Sequence, residues 1–252
     1  MLEVHVLASG SDGNCTVIES DGEAVMIDAG VSCKKILSAM DQEGVDPGAV
    51  KAILITHEHS DHVCGAGATA RKLGVPVMCN ENTMSQLDLG AVDYIPFDSN
   101  RSFDVGHLHV TPLPTSHNAV EPNAFLTQVD GMSALLATDT GKLTFQVEAA
   151  LKMADIAVIE ANYDPKMLVD GPYPPSLKKL IGSDRGHLSN TDCANAIRRT
   201  ITDSRRQLFL AHLSRTNNMP DIARETVAEI TGIRRLNIDC LEFPGDTRTL
   251  RV

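Results

Sequence analysis

Apolar residues come in short bursts along this chain, most of them rich in β-branched side chains and closed by glycine or a polar residue. Such runs, bounded by turn formers, read as strands. The pattern predicts strands over residues 4–8, 15–19, 24–27, 52–55, 75–78, 108–110, 124–128, 134–137, 156–159 and 208–211. Longer stretches with helical spacing fall between them, at 33–42, 62–73, 82–87, 145–153, 175–181, 191–201 and 221–230. Ser189 with Asp192 fits a capping box for the sixth helix, and Gly232 fits a stop after the seventh. The early strands, joined by Gly-rich turns, suggest antiparallel pairs. The later strand–helix alternation suggests a layered α/β region. No internal repeat, low-complexity tract or linker interrupts the chain. The expectation is one α/β domain over residues 1–252, with helices outside two packed sheets.

Composition narrows the setting. At 252 residues and 42% hydrophobic, the chain is long enough to bury a sizeable core. No run approaches the roughly 18 consecutive apolar residues of a membrane helix, and residues 1–6 lack the regions of a secretory signal. A cytosolic protein away from membranes is expected. Six cysteines are scattered without a C-x-x-C pair, which fits reduced thiols. Cys64, two residues past His62, is either a buried thiol or a zinc ligand, and burial is the expectation. The net charge of −11 is uneven: residues 1–170 carry 9 Lys and Arg against 24 Asp and Glu, whereas 171–252 carry 13 against 9. A basic last third is either a solvated face or a wall for an anionic substrate.

The chemistry concentrates where the run Ala52-Ile53-Leu54-Ile55-Thr56 empties into His57-Glu58-His59-Ser60-Asp61-His62. Side chains alternate along an extended segment, so His57 and His59 project the same way and can reach one metal ion. Asp61 and His62, past the turn into a helix, can face a second ion beside it. A hydrolytic metal pair needs further ligands, and His117, Asp139 and His212 each stand where an apolar strand leaves the core. A carboxylate such as Asp139 can bridge two cations. Asp28, at the end of another strand, is a candidate to orient a ligating imidazole through its second nitrogen. His5, His107 and His109 sit in weaker contexts and read as structural.

Leu7-Ala8-Ser9-Gly10-Ser11-Asp12-Gly13-Asn14, Asp28-Ala29-Gly30, the His57–His62 motif, Ser116-His117-Asn118-Ala119-Val120-Glu121-Pro122, Thr138-Asp139-Thr140-Gly141, Gly186-His187-Leu188-Ser189-Asn190 and Ala211-His212-Leu213-Ser214 follow one another along the chain. In that order they resemble the metallo-β-lactamase superfamily. With Tyr173-Pro174-Pro175-Ser176-Leu177-Lys178-Lys179 and Asn217-Asn218-Met219, they resemble its WalJ/YycJ branch rather than the antibiotic-degrading enzymes. The resemblance spans nearly the whole chain. It implies a four-layer αβ/βα sandwich holding two divalent ions, zinc or manganese, and a 5′-to-3′ exonuclease acting on double-stranded DNA. Carried over by position, His57, His59 and His117 would hold one ion, and Asp61, His62 and His212 the other, with Asp139 bridging. His187 would match a histidine that related RNA-processing nucleases use near the scissile phosphate, and Glu160 its carboxylate partner. Tyr163 departs from the pattern, since many relatives have His there.

The mechanism this implies uses water shared by the two ions, acidified enough to attack phosphorus as hydroxide, with Asp61 orienting it. His187 would then stabilise the developing charge or protonate the leaving oxygen. Nucleic acid would meet Lys178, Lys179, Arg185, Arg198, Arg199 and Arg215. The same fold hosts other reactions, so hydrolysis of a small phosphodiester or thioester metabolite and RNA processing stand as alternatives. A metal- or redox-binding regulator without turnover is a third, against which the full ligand set argues.

Overall fold

The computed structural model describes residues 1–200, 206–243 and 245–252. The chain runs β1 (Leu2–Ala8), β2 (Cys15–Ser20), β3 (Glu23–Ile27), α1 (Cys33–Glu43), β4 (Val50–Leu54), α2 (Ser60–Val63), α3 (Ala66–Leu73), β5 (Val77–Cys79), α4 (Glu81–Met84), β6 (Tyr94–Pro96), β7 (Phe103–Val105), β8 (Leu108–Pro114), β9 (Asn123–Val129) and β10 (Met132–Ala137). It continues through α5 (Phe145–Met153), β11 (Ile156–Glu160), α6 (Pro165–Asp170), α7 (Pro175–Ile181), α8 (Asn190–Thr200), β12 (Gln207–Ala211), α9 (Pro220–Thr231), β13 (Ile238–Asp239) and β14 (Arg248–Arg251). All ten expected strands are present, and the end of the sixth helix, Ile201, lies outside the described residues. Both predicted helix boundaries hold. Ser189 Oγ accepts from the Asp192 N–H at 3.0 Å while donating to that carboxylate, and Gly232 closes α9 in the left-handed region at φ 77°.

Among the described residues, two seven-stranded sheets form the centre, in the orders β14-β1-β2-β3-β4-β5-β6 and β13-β12-β11-β10-β9-β8-β7. Each has three antiparallel pairings followed by three parallel ones. The topology therefore repeats although the sequence does not, and β3 and β10 hold equivalent places. Alternation across the pleat builds the layers. From the second sheet, Leu136, Val158 and Phe209 face the first sheet. Their neighbours Leu135, Ala157 and Leu208 face α5, α8 and α9 through Val147, Leu151, Ile197 and Val227. On the other side, Ile36 and Met40 of α1 cover the first sheet. Strands buried on both faces lose polar alternation, which explains the unbroken apolar runs. The result is the four-layer αβ/βα sandwich.

The four strands that the apolar pattern did not show are β6, β7, β13 and β14, and all four are sheet edges. Edge strands are short and often charged, as in Arg248-Thr249-Leu250-Arg251, so they carry little apolar signal. The helix expected over 62–73 is two helices, α2 and α3. The interruption is a close approach: the Gly65 N–H donates to Ala29 O at 2.8 Å, and a Cβ on Gly65 would lie 1.9 Å from Val31 O. Gly30 is as tight, since a Cβ there would lie 1.6 Å from Asp61 O. These two glycines let the loop after β3 press on the histidine segment after β4.

Candidate metal centre

The carboxyl ends of β3, β4, β10, β11 and β12 open onto one side of the sandwich, the usual place for a site in a parallel sheet. Asp28 follows β3, His57 follows β4, Asp139 follows β10, Glu160 ends β11 and His212 follows β12. Asp28, Asp139 and His212 have φ of 59°, 54° and 57°. That left-handed conformation is strained for residues other than glycine and is held by the surrounding structure. It turns each side chain back over the strand ends. His59, Asp61 and His62 come from the turn into α2, and His117 from the segment after β8.

Four overlapping groups have ligand atoms within 4.8 Å of one another: His57, His59 and His117; His57, His62 and Asp139; Asp61, His62 and His212; and Asp139, Glu160, His187 and His212. All seven expected ligands are thus brought together, along with His187 and Glu160. Their outer nitrogens are tied back. The His62 Nδ1–H donates to Asp28 Oδ2 at 2.7 Å. His57 Nδ1 donates to Thr56 Oγ1 at 2.9 Å, and that hydroxyl donates to Asp28 Oδ2 at 2.8 Å. One carboxylate therefore sets two imidazoles, and both present Nε2 to the centre. His117 Nδ1 donates to Gly186 O at 2.8 Å. Glu160 anchors the far side: Oε1 accepts from His187 Nδ1 at 2.8 Å and from His212 Nδ1 at 2.9 Å. Its Oε2 accepts the Thr140 and Leu188 N–H groups at 2.9 and 3.1 Å.

The charges respond to this packing. Burial opposes ionisation of Glu160, but His187 and His212 draw its carboxyl down to about 2. Burial likewise opposes charge on His212, yet Asp139, with hydrogen bonds to Asp61 and Glu160, holds it up to about 10. His57 is pushed well below its usual value by burial and by the neighbouring His62. Among the side chains of these four groups, the buried His57 Nε2 and Asp139 Oδ2 have no hydrogen-bond partner. The latter is 3.0 Å from His62 Nε2, close enough for an ion pair but without hydrogen-bond geometry.

Several contributors give no sign of a site role in the sequence. Asn14 Nδ2 lies 3.1 Å from His62 Nε2, and Asn162 Nδ2 donates to His212 O at 2.8 Å. Thr56 relays Asp28 to His57. Small polar residues within longer motifs give no signal of their own. Tyr163 is buried with Leu168 and Ile181, so its side chain staples α6 and α7 rather than joining the centre. Cys64, expected to be buried, is exposed. Its thiol donates to Gly30 O at 2.9 Å, because the tight turn at Gly65 carries it outward. His5, His107 and His109 bond to Thr249, Glu23 and Asp104.

The basic positions divide. Arg185 reaches His117 O from two guanidinium nitrogens at 3.4 Å. Arg215, three residues past His212, pairs with Asp12. Lys178 and Lys179 lie on α7, which ends beside His187 through the His187 N–H to Ile181 O bond of 2.9 Å. Arg198 and Arg199 sit at the far end of α8, about 12 to 14 Å from its first residue at about 1.5 Å per residue, and Arg199 is held by Glu148.

Comparison with known proteins identifies the family. The model of the metallo-beta-lactamase superfamily matches residues 8–138. Exodeoxyribonuclease YycJ of Bacillus anthracis is 38% identical over 235 residues, covering 91% of this chain and 89% of the relative. Exodeoxyribonuclease WalJ of Streptococcus pneumoniae is 38% identical over 229 residues, covering 88% and 85%. Among solved structures, the metallo-beta-lactamase fold protein YhfI of Bacillus subtilis superposes with a TM-score of 0.75 over 98% of this chain and 99% of its own. At 16% identity it speaks for the fold alone. With a matching family model over half its length and relatives of this identity along most of it, the chain belongs to the metallo-beta-lactamase superfamily, in the branch of YycJ and WalJ.

Proposed function

We propose that the chain is a metal-dependent phosphodiesterase of the cytosol that cleaves DNA in the manner of a 5′-to-3′ exonuclease, as one domain over residues 1–252. His57, His59 and His117 would hold one divalent ion, and Asp61, His62 and His212 a second, with Asp139 shared. The observation that carries this reading is the pair of orphaned buried atoms, His57 Nε2 and Asp139 Oδ2, inside the cluster. A buried polar atom without a partner is costly, and a cation supplies both with one. Imidazoles with carboxylates suit zinc or manganese. Bound there, such ions supply Lewis acidity that acidifies water and screens charge on phosphoryl oxygens.

The chain's own residues do the rest. Asp28, directly and through Thr56, fixes the rings of His62 and His57. Asp61 orients the attacking water, and Glu160 holds the ring of His187. With Nδ1 engaged, His187 is left its other nitrogen to stabilise charge or pass a proton to the leaving oxygen. DNA is favoured as substrate because relatives of high coverage are named exodeoxyribonucleases, a reading supported by Arg185 beside His117 and by basic α7, whose end bonds the His187 N–H.

Elemental analysis of the purified, metal-reconstituted protein is expected to find about two ions per chain, and chelation is expected to remove activity. Less than about half an ion per chain sinks the two-metal reading, since structural affinities of such sites lie far below micromolar. End-labelled duplex DNA and RNA, incubated with Mn²⁺, then decide the substrate: release of 5′-terminal nucleotides from DNA is expected. Reversal of Lys178 and Lys179 to Glu is expected to weaken duplex binding. It should also flatten the log–log salt dependence by about 0.9 for each phosphate that the variant no longer neutralises. Wild-type affinity and slope in that variant would make α7 a solvated face and favour the small phosphodiester or thioester alternative.

A further inference from the structure

The loop of residues 9–14 has two working faces. One touches the histidine cluster: Ser9 Oγ accepts the His212 N–H at 2.8 Å, and Asn14 Nδ2 reaches His62 Nε2 at 3.1 Å. The other face closes a cavity of about 450 Å³, walled also by the end of β1, Val31, α1, Arg215 and residues 241, 243, 245 and 246. Ser9, Asp12, Lys35, Arg215 and Phe243 line it. Cavity and cluster thus lie on two sides of one loop.

The lining carries two cations, Lys35 and Arg215, and two carboxylates that are already engaged: Asp12 by Arg215, and Asp246 by the Glu242 and Phe243 N–H groups. Lys35 is exposed and makes no ion pair among the described residues, a free cation on the wall. Arg215, on the other side, is paired with Asp12, an exposed surface pair of the kind that contributes little and exchanges readily. Phe243 is 68% exposed and lines the cavity, a large aromatic side chain outside the core. Its backbone is held in place, since Asp246 Oδ2 accepts the Phe243 N–H at 2.8 Å. Two cations and an open aromatic ring match an anion joined to a flat ring, and the volume falls in the usual range for a small ligand.

We propose that this cavity is a subsite for one nucleotide of the substrate strand, its phosphate between Lys35 and Arg215 and its base against Phe243. The proposal rests on the nuclease reading and adds to it a place where the strand is gripped beside the point of cleavage. Stacking on an aromatic face is tolerant of sequence, because every base has a π-face. Asp12 occupies Arg215 as a stand-in for the phosphate and competes with it, so neutralising Asp12 strengthens binding while reversing Lys35 weakens it.

The test is a calorimetric titration of the full, metal-loaded chain with thymidine 5′-monophosphate, and in parallel with inorganic phosphate. Lys35→Glu and Phe243→Ala change exposed side chains and leave the core alone. Lys35→Glu is expected to weaken binding of the nucleotide by about tenfold or more, the loss of a charge-assisted bond. Phe243→Ala should weaken the nucleotide but leave inorganic phosphate unchanged, and Asp12→Asn should tighten both. Absence of saturable nucleotide binding, or equal affinity in wild type, Lys35→Glu and Phe243→Ala, overturns the subsite. The two readings fail separately. Cleavage of labelled duplex without nucleotide binding removes the subsite and keeps the nuclease. Nucleotide binding with this variant pattern, but no cleavage of any nucleic acid, removes the nuclease and keeps a nucleotide site.

Discussion

Asp61→Asn is expected to abolish turnover while the fold persists. Asp61 Oδ2 lies 3.5 Å from His62 Nε2, from His212 Nε2 and from Asn14 Nδ2, at the meeting point of three side chains from three parts of the chain. Burial works against its charge, but hydrogen bonds from His212 and His62 hold its carboxyl far below the usual range. It is therefore an anion at any working pH. Asparagine keeps the shape and loses the charge, so it supplies neither a charged ligand nor an acceptor strong enough to orient water. Charge stabilisation of this kind amounts to several kcal/mol, about a thousandfold or more in rate. The main chain at Asp61 is a different matter. Its carbonyl accepts the Asn14 N–H at 2.8 Å, and that bond is indifferent to the side chain. Hydrolysis of bis(p-nitrophenyl) phosphate, followed beside a thermal melt, checks both halves. A variant that melts like wild type and keeps more than about a tenth of its rate would remove Asp61 from the mechanism.

The candidate ligand positions were legible because the fold places them at strand ends. Apolar runs closing on His57, Asp139 and His212 mark where buried strands leave the core, and a parallel sheet gathers such ends on one side. The chemistry of the centre thus follows from residue type plus place in the run. What the run cannot carry is the left-handed turn at Asp28, Asp139 and His212. In sequence these look like ordinary turn residues, and only long-range packing over-determines the strained backbone. The same holds for the relay through Thr56 and for Glu160, which joins His187 and His212 from 27 and 52 residues away. Edge strands escaped for a further reason. Ile238-Asp239 and Tyr94-Ile95-Pro96 pair with a neighbour on one side only, so their sequences need not be apolar on both faces. The break at Gly65 is steric, and a helical period across residues 62–73 cannot register that a carbonyl from residue 31 lies where a Cβ would be.

His187→Ala is expected to slow turnover by about 10² to 10⁴-fold, the range of general acid–base assistance, while the metal content stays at its wild-type value. The second half separates the roles of two histidines that share one carboxylate oxygen. Glu160 Oε1 lies 2.8 Å from His187 Nδ1 and 2.9 Å from His212 Nδ1, so both rings are oriented in the same way. Asp139 Oδ1 lies 3.7 Å from each Nδ1, which makes the surroundings nearly symmetric. They differ in depth and reach. The His212 side chain is 2% exposed and its Nε2 faces Asp61 at 3.5 Å, as a ligand in the Asp61 and His62 group would. The His187 side chain is 21% exposed, open to an approaching substrate as a donor must be. A proton donor and a ligand fail differently on truncation: the first costs rate, the second costs the ion and the rate with it. Elemental analysis beside single-turnover rates reads both. Loss of about one ion per chain in His187→Ala, with His212→Ala retaining its full complement, would reverse the two assignments and place the donor at His212.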